Sequence, residues 1–84
     1  MIIRSQNKKR IANLKNITEI VCNQGFEILV YFASDIVYSE IFGEYSTEEK
    51  AVKVLDLICE TYEVFCAGNA YEQSVFNMPQ DSEV

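Results

Sequence analysis

Lys8, Lys9 and Arg10 are three consecutive cations, and with Arg4 and Lys15 nearby they form the best anion site the sequence offers. Ammonium and guanidinium groups at that density suit the phosphates of a nucleotide or nucleic acid. They equally suit a solubilising turn that balances an acidic chain, and both readings stand. A duplex partner fits poorly, because 13 acids follow the basic cluster and face only Lys50 and Lys53, so that a phosphate backbone is repelled. A small phosphorylated ligand held by Lys8, Lys9 and Arg10 is easier to accommodate.

The acids supply the second candidate. Glu48 with Glu49, and Glu60 with Glu63, are carboxylate pairs of the kind acid–base catalysis uses, yet their positions place them at a helix cap and on a wet face. Burial cannot raise a pKa there. Glu48, Glu49, Asp56, Glu60, Glu63 and Glu72 instead form a row suited to a basic groove on another protein, or to keeping the chain solvated. Leu57 and Val64 stand seven residues apart among these charges. They are either scattered surface residues or a seam for a partner helix or second subunit. Asp56, Leu57, Glu60, Glu63 and Val64 are thus the candidate partner-binding residues.

Thiol and metal chemistry find little support. Cys22, Cys59 and Cys66 cannot all pair within one chain, none belongs to a C-x-x-C, and they read as buried thiols. Cys59 and Cys66 share a helix face but lie two turns apart, ~10 Å along the axis, too far for a disulfide. With no histidine in the chain a zinc site lacks its fourth ligand, and acid–base catalysis lacks its commonest agent. No dinucleotide fingerprint, P-loop, nucleophile elbow or zincin motif occurs. The expectation is a non-enzymatic protein without metal or cofactor.

These residues depend on one long helix. Ser46 and Glu49 have the S-x-x-E spacing of a capping box, which starts the helix at Ser46, and Gly68 is its natural stop. Glu49 and Lys53 are spaced for an i,i+4 ion pair. Ala51, Val54, Leu55, Ile58, Cys59, Tyr62, Phe65 and Cys66 fall on one side, an arc wide enough for a helix well embedded against a sheet.

Ahead of the helix the chain reads as strands. Apolar pieces at 1–5 and 11–14 flank the polar connector 6–10, and β-branched residues at 17–22 lead to Asn23-Gln24-Gly25, a hairpin turn in which the glycine supplies a positive φ. In the strand 26–33, Phe26, Ile28, Val30 and Phe32 alternate onto one purely apolar face, assigned to the core. Ser34-Asp35 turns the chain into a strand at 36–42. After Gly68 comes a polar stretch, 69–73, and then a short apolar segment, 74–78, that suits an edge strand ending at Pro79.

The prediction is an α+β domain over 1–78. It comprises an antiparallel β-meander of four to five short strands packed on one long C-terminal amphipathic helix, with a short final edge strand, and 79–84 forms a mobile acidic tail. A domain this small has little margin in its own core and leans towards self-association, so a homodimer is expected. No apolar run reaches a membrane span and no signal-like segment opens the chain, which points to a cytoplasmic protein without a membrane partner.

Three segments carry a resemblance. Met1-Ile2-Ile3-Arg4-Ser5-Gln6, then Gly43-Glu44-Tyr45-Ser46-Thr47-Glu48-Glu49-Lys50-Ala51 with Val54-Leu55, and Met78-Pro79-Gln80-Asp81 together resemble a family of short uncharacterised proteins of Gram-positive bacteria and their phages. The turn at Ser34-Asp35 departs from that pattern, which has a glycine there. The resemblance implies a phage, mobile-element or host accessory factor and names no activity. The leading expectation is a small acidic protein that binds a host protein through Asp56, Leu57, Glu60, Glu63 and Val64. The alternative is a phosphorylated-nucleotide binder using Lys8, Lys9 and Arg10.

Overall fold

The computed structural model describes residues 1–68 and 75–84, and at Asp35 and Ile36 the backbone alone. The expected polar stretch 69–73, with Glu72, and the first residue of the segment 74–78 lie outside the described residues.

The fold is α+β, with strands β1 (Ile2–Arg4), β2 (Ile11–Asn13), β3 (Ile17–Cys22), β4 (Glu27–Phe32) and β5 (Asp35–Glu44), helix α1 (Glu48–Cys66) and strand β6 (Val75–Asn77). In place of one meander, the strands form two three-stranded sheets, ordered β2-β1-β6 and β3-β4-β5. The division falls at Asn13, whose side-chain oxygen accepts the Lys15 N–H at 3.0 Å and caps a 3-10 turn, Leu14–Asn16. That turn redirects the chain, so β2 pairs antiparallel with β1 and not with β3. Strand β6 adds to the other side of β1 in parallel, Phe76 opposite Ile3.

The β3–β4 hairpin forms where expected, with a different residue carrying the strain. Phe26, not Gly25, takes the left-handed conformation, at φ 61°. Asn23 imposes this: its side-chain oxygen accepts the N–H groups of Gly25 and Glu27, both at 2.9 Å, and its carbonyl accepts the N–H of Phe26. The alternation in β4 holds, with Ile28 and Val30 buried and Phe26 and Phe32 packed against the core. A bulge between β4 and β5 pairs Ile28 with Gly43 and Leu29 with Ile41, so Phe42 and Gly43 both face inward. Gly43 is required there. A Cβ would lie 2.9 Å from the Tyr45 ring and 3.0 Å from Met78 Cε.

The three segments that carry the resemblance meet in space as a clasp on the start of α1. The Gln6 side chain donates to the carbonyls of Glu44 (3.0 Å) and Pro79 (3.2 Å) and accepts the Glu44 N–H (2.9 Å). The Tyr45 hydroxyl donates to Pro79 O at 2.8 Å, and Gln80 donates to Gln6 O at 2.7 Å. Asp81 Oδ1 accepts both the backbone N–H and the hydroxyl of Ser46. Residues 79–84, expected as a mobile tail, carry these bonds and a 3-10 turn, Asp81–Glu83.

The capping expectation shifts by one residue for the same reason. With Ser46 committed to Asp81, Thr47 is the N-cap, its hydroxyl accepting the Lys50 N–H at 3.2 Å, and α1 starts at Glu48. Lys50 in turn donates to Asp81 O at 3.0 Å and lies 3.6 Å from its carboxylate. Asp81 is held below the usual carboxylate range, chiefly by the Ser46 backbone N–H. Burial, then Asp81 and Glu83, pushes the Tyr45 phenol up to about 12. At the far end Gly68 adopts φ 78° and stops the helix as expected.

Candidate functional site

A helix of 19 residues is ~28 Å long, whereas the six-residue strands β3 and β4 span only ~20 Å. Helix α1 is therefore longer than β3, the edge strand beside it, though not than the ten-residue β5 of the same sheet. Ala51, Val54 and Ile58 are buried in its first half. Beyond Ile58 the same helix side emerges: Cys59, Tyr62 and Cys66 are exposed, and Phe65 is only half-buried. This corrects two expectations, a helix well embedded against a sheet and three buried thiols. Cys22 alone is partly covered, and burial, then Glu48, pushes its thiol pKa up. Tyr62 stacks on Phe65 at 6.4 Å between ring centroids, and the Cys66 side chain raises its phenol pKa.

The predicted partner-binding residues divide between two surfaces. Asp56, Leu57 and Glu60 border a shallow depression of about 500 Å³ on the outer side of α1, together with Glu49, Val52 and Lys53. Asp56 and Glu60 are exposed, while Leu57 is half-buried and so not the free apolar residue expected. Val64 is 52% exposed, and Val52, which the sequence pattern did not single out, is 42% exposed. Glu63, also exposed, borders a second surface. It lines a groove of about 660 Å³ between α1 and β3, whose apolar walls come from Leu14, Ile17 and Ile20 on one side and Leu55, Ile58 and Tyr62 on the other.

Among the described residues the ion pairs are Arg10–Glu40 (2.7 Å) and Lys50–Asp81. Glu49 and Lys53 remain exposed without closing theirs, as expected when two long side chains must be ordered for a small gain in water.

The basic candidates sit on the turn between β1 and β2. Its shape comes from its own side chains: Asn7 Oδ1 accepts from the Ser5 hydroxyl (2.7 Å) and the Lys9 N–H (2.9 Å), and the Arg4 guanidinium donates to Lys8 O (3.2 Å). Lys8 takes φ 66° at the tip. Lys8, Lys9 and Arg10 are exposed and border an open depression with Arg4 and Asn77, but Glu40 already neutralises Arg10.

No family model, curated protein or solved structure matches the chain. The site's chemistry rests on its own residues. Among the described residues no three of histidine, cysteine, aspartate and glutamate gather as a metal site, and no helix is long and apolar enough to cross a membrane.

Proposed function

We propose that this is a non-enzymatic interaction protein that binds a basic protein partner through the outer side of α1. The observation that carries the reading is the exposed outer side: a helix secured at one end by the clasp presents Val52, Asp56, Glu60 and Val64 to solvent. Acids around a small apolar strip steer a basic partner and leave an apolar centre to be buried on docking. The same features suit an accessory factor of a phage or mobile element that acts on a host protein. The nucleotide-binding alternative is weaker, since the Arg10–Glu40 pair leaves two lysines on an exposed turn.

The test is capture of partners from the source cells by the wild-type chain and by the double variant Asp56→Lys/Glu60→Lys, matched for fold by circular dichroism. The reading expects a protein held at fixed stoichiometry by the wild type and lost from the variant. Equal capture by both removes this face from consideration.

A further inference from the structure

The groove between α1 and β3 has a property that the outer side of α1 lacks: it runs along a sheet edge. Strand β3 ends the β3-β4-β5 sheet among the described residues. Four consecutive residues, Ile17, Thr18, Glu19 and Ile20, line the groove. The register against β4 shifts between Ile17 and Glu19, and this bulge on the edge strand brings four successive residues to the groove.

The ladder shows which peptide groups look into it. Asn23 N–H donates to Glu27 O at 3.0 Å, and the register pairs Val21 with Leu29 and Glu19 with Tyr31. Hydrogen-bonded pairs alternate along an antiparallel ladder, so Asn23, Val21 and Glu19 point their backbone groups at β4. The peptide groups of Ile20 and Cys22 then point away from β4, to the open edge. The groove reaches this edge at Ile20, is apolar in its walls and carries two charges on its lining, Glu19 and Glu63, both negative.

We infer that this groove accepts an extended segment of a partner protein as an added strand on β3, with apolar side chains at alternate positions under α1 and basic residues at its ends. Main-chain bonds to Ile20 and Cys22 supply the pairing, Leu55, Ile58 and Tyr62 receive the inward side chains, and Glu19 and Glu63 select lysine or arginine at the flanks. A second copy of this chain is disfavoured as the occupant, because its own β3 brings another Glu19 into a groove that already holds two acids. The inference rests on the reading of the chain as a protein-binding module and assigns it a second surface.

The experiment uses the full chain and a fluorescein-labelled, end-capped peptide of sequence Lys-Val-Thr-Val-Thr-Val-Lys, followed by anisotropy. Two further peptides carry N-methyl groups on the odd or on the even residues, which removes the N–H donors of one edge at a time. Strand addition expects saturable binding of the parent, retention in one methylated series and loss of roughly tenfold or more in the other, as one or two lost hydrogen bonds imply. Glu19→Lys should weaken binding by a similar factor, and replacing the peptide's lysines by glutamates should do the same. Equal behaviour of the two methylated series, or no saturable binding of the parent, overturns the proposal. So does a stable dimer whose formation excludes the peptide, which assigns the groove to a second copy. Asp56→Lys/Glu60→Lys should leave peptide binding intact, so failure of the outer face and failure of the groove are read separately.

Discussion

The two halves of α1 have similar apolar periodicity and opposite surroundings. From Glu48 to Ile58 the helix is capped by Thr47, tied to Asp81 through Lys50 and closed over the core by Ala51, Val54 and Ile58. From Cys59 to Cys66 the same stripe is exposed or half-buried, and Cys59 and Tyr62 line the open groove beside β3. A stripe therefore says which side of a helix is apolar, and what packs against it decides how much of it is covered. The half with fewer tertiary partners is also the one that can open locally without dismantling the core.

Substitutions that weaken the buried half should have the largest effects. Ile58→Ala, at the last buried position, should cost about 2–5 kcal/mol in urea unfolding, as large-to-small core changes do. Gly43→Ala should follow, at about 1–3 kcal/mol, because the new methyl group must displace the Tyr45 ring or Met78 and loosen the clasp. Thr47→Ala removes the N-cap acceptor and should cost about 1 kcal/mol, read in the same assay.

Two titrations probe the clasp directly. The Tyr45 phenol is raised from 10.0 to about 12, so the unfolded chain ionises it before the folded chain does. The stability it confers is full below pH 10 and lost as pH rises to about 12, and Tyr45→Phe should flatten that alkaline decline in the urea midpoint. Asp81 runs in the opposite direction. Its depressed pKa confers stability that is full above the ordinary aspartate value, about 4, and is lost as pH falls through the lowered one, so Asp81→Asn should matter at neutral pH and not in strong acid. At the smallest end, Val64→Ala should change stability by less than about 0.5 kcal/mol, since its side chain is half in water already.

Much of the fold was legible in the residues. Alternation in 26–33 located β4 and its buried Ile28 and Val30, and Gly68 located the end of α1. The division into two sheets was not legible, because it depends on Asn13 capping a 3-10 turn, and an asparagine between apolar residues reads equally as an interrupted strand. Ser46 was misassigned for a similar reason. Its S-x-x-E spacing is real, but a partner 35 residues away, Asp81, takes its hydroxyl. Of the candidate site, Asp56, Glu60, Glu63 and Val64 were placed at the surface from helical phase alone. That Leu57 is half-covered is not given by phase, and that Glu63 also borders a groove depends on β3, which phase does not describe. Gln6, Tyr45 and Pro79 are hydrogen-bonded neighbours in the clasp, contacts between residues far apart in the chain that no local pattern announces.

The most direct test is native-state hydrogen exchange along α1. The account predicts that amides from Val54 to Ile58 exchange only through global unfolding, while those from Tyr62 to Cys66 exchange through local opening at much lower free energy and gain protection when a partner binds. Uniform protection along the helix, unchanged by the partner, would contradict it.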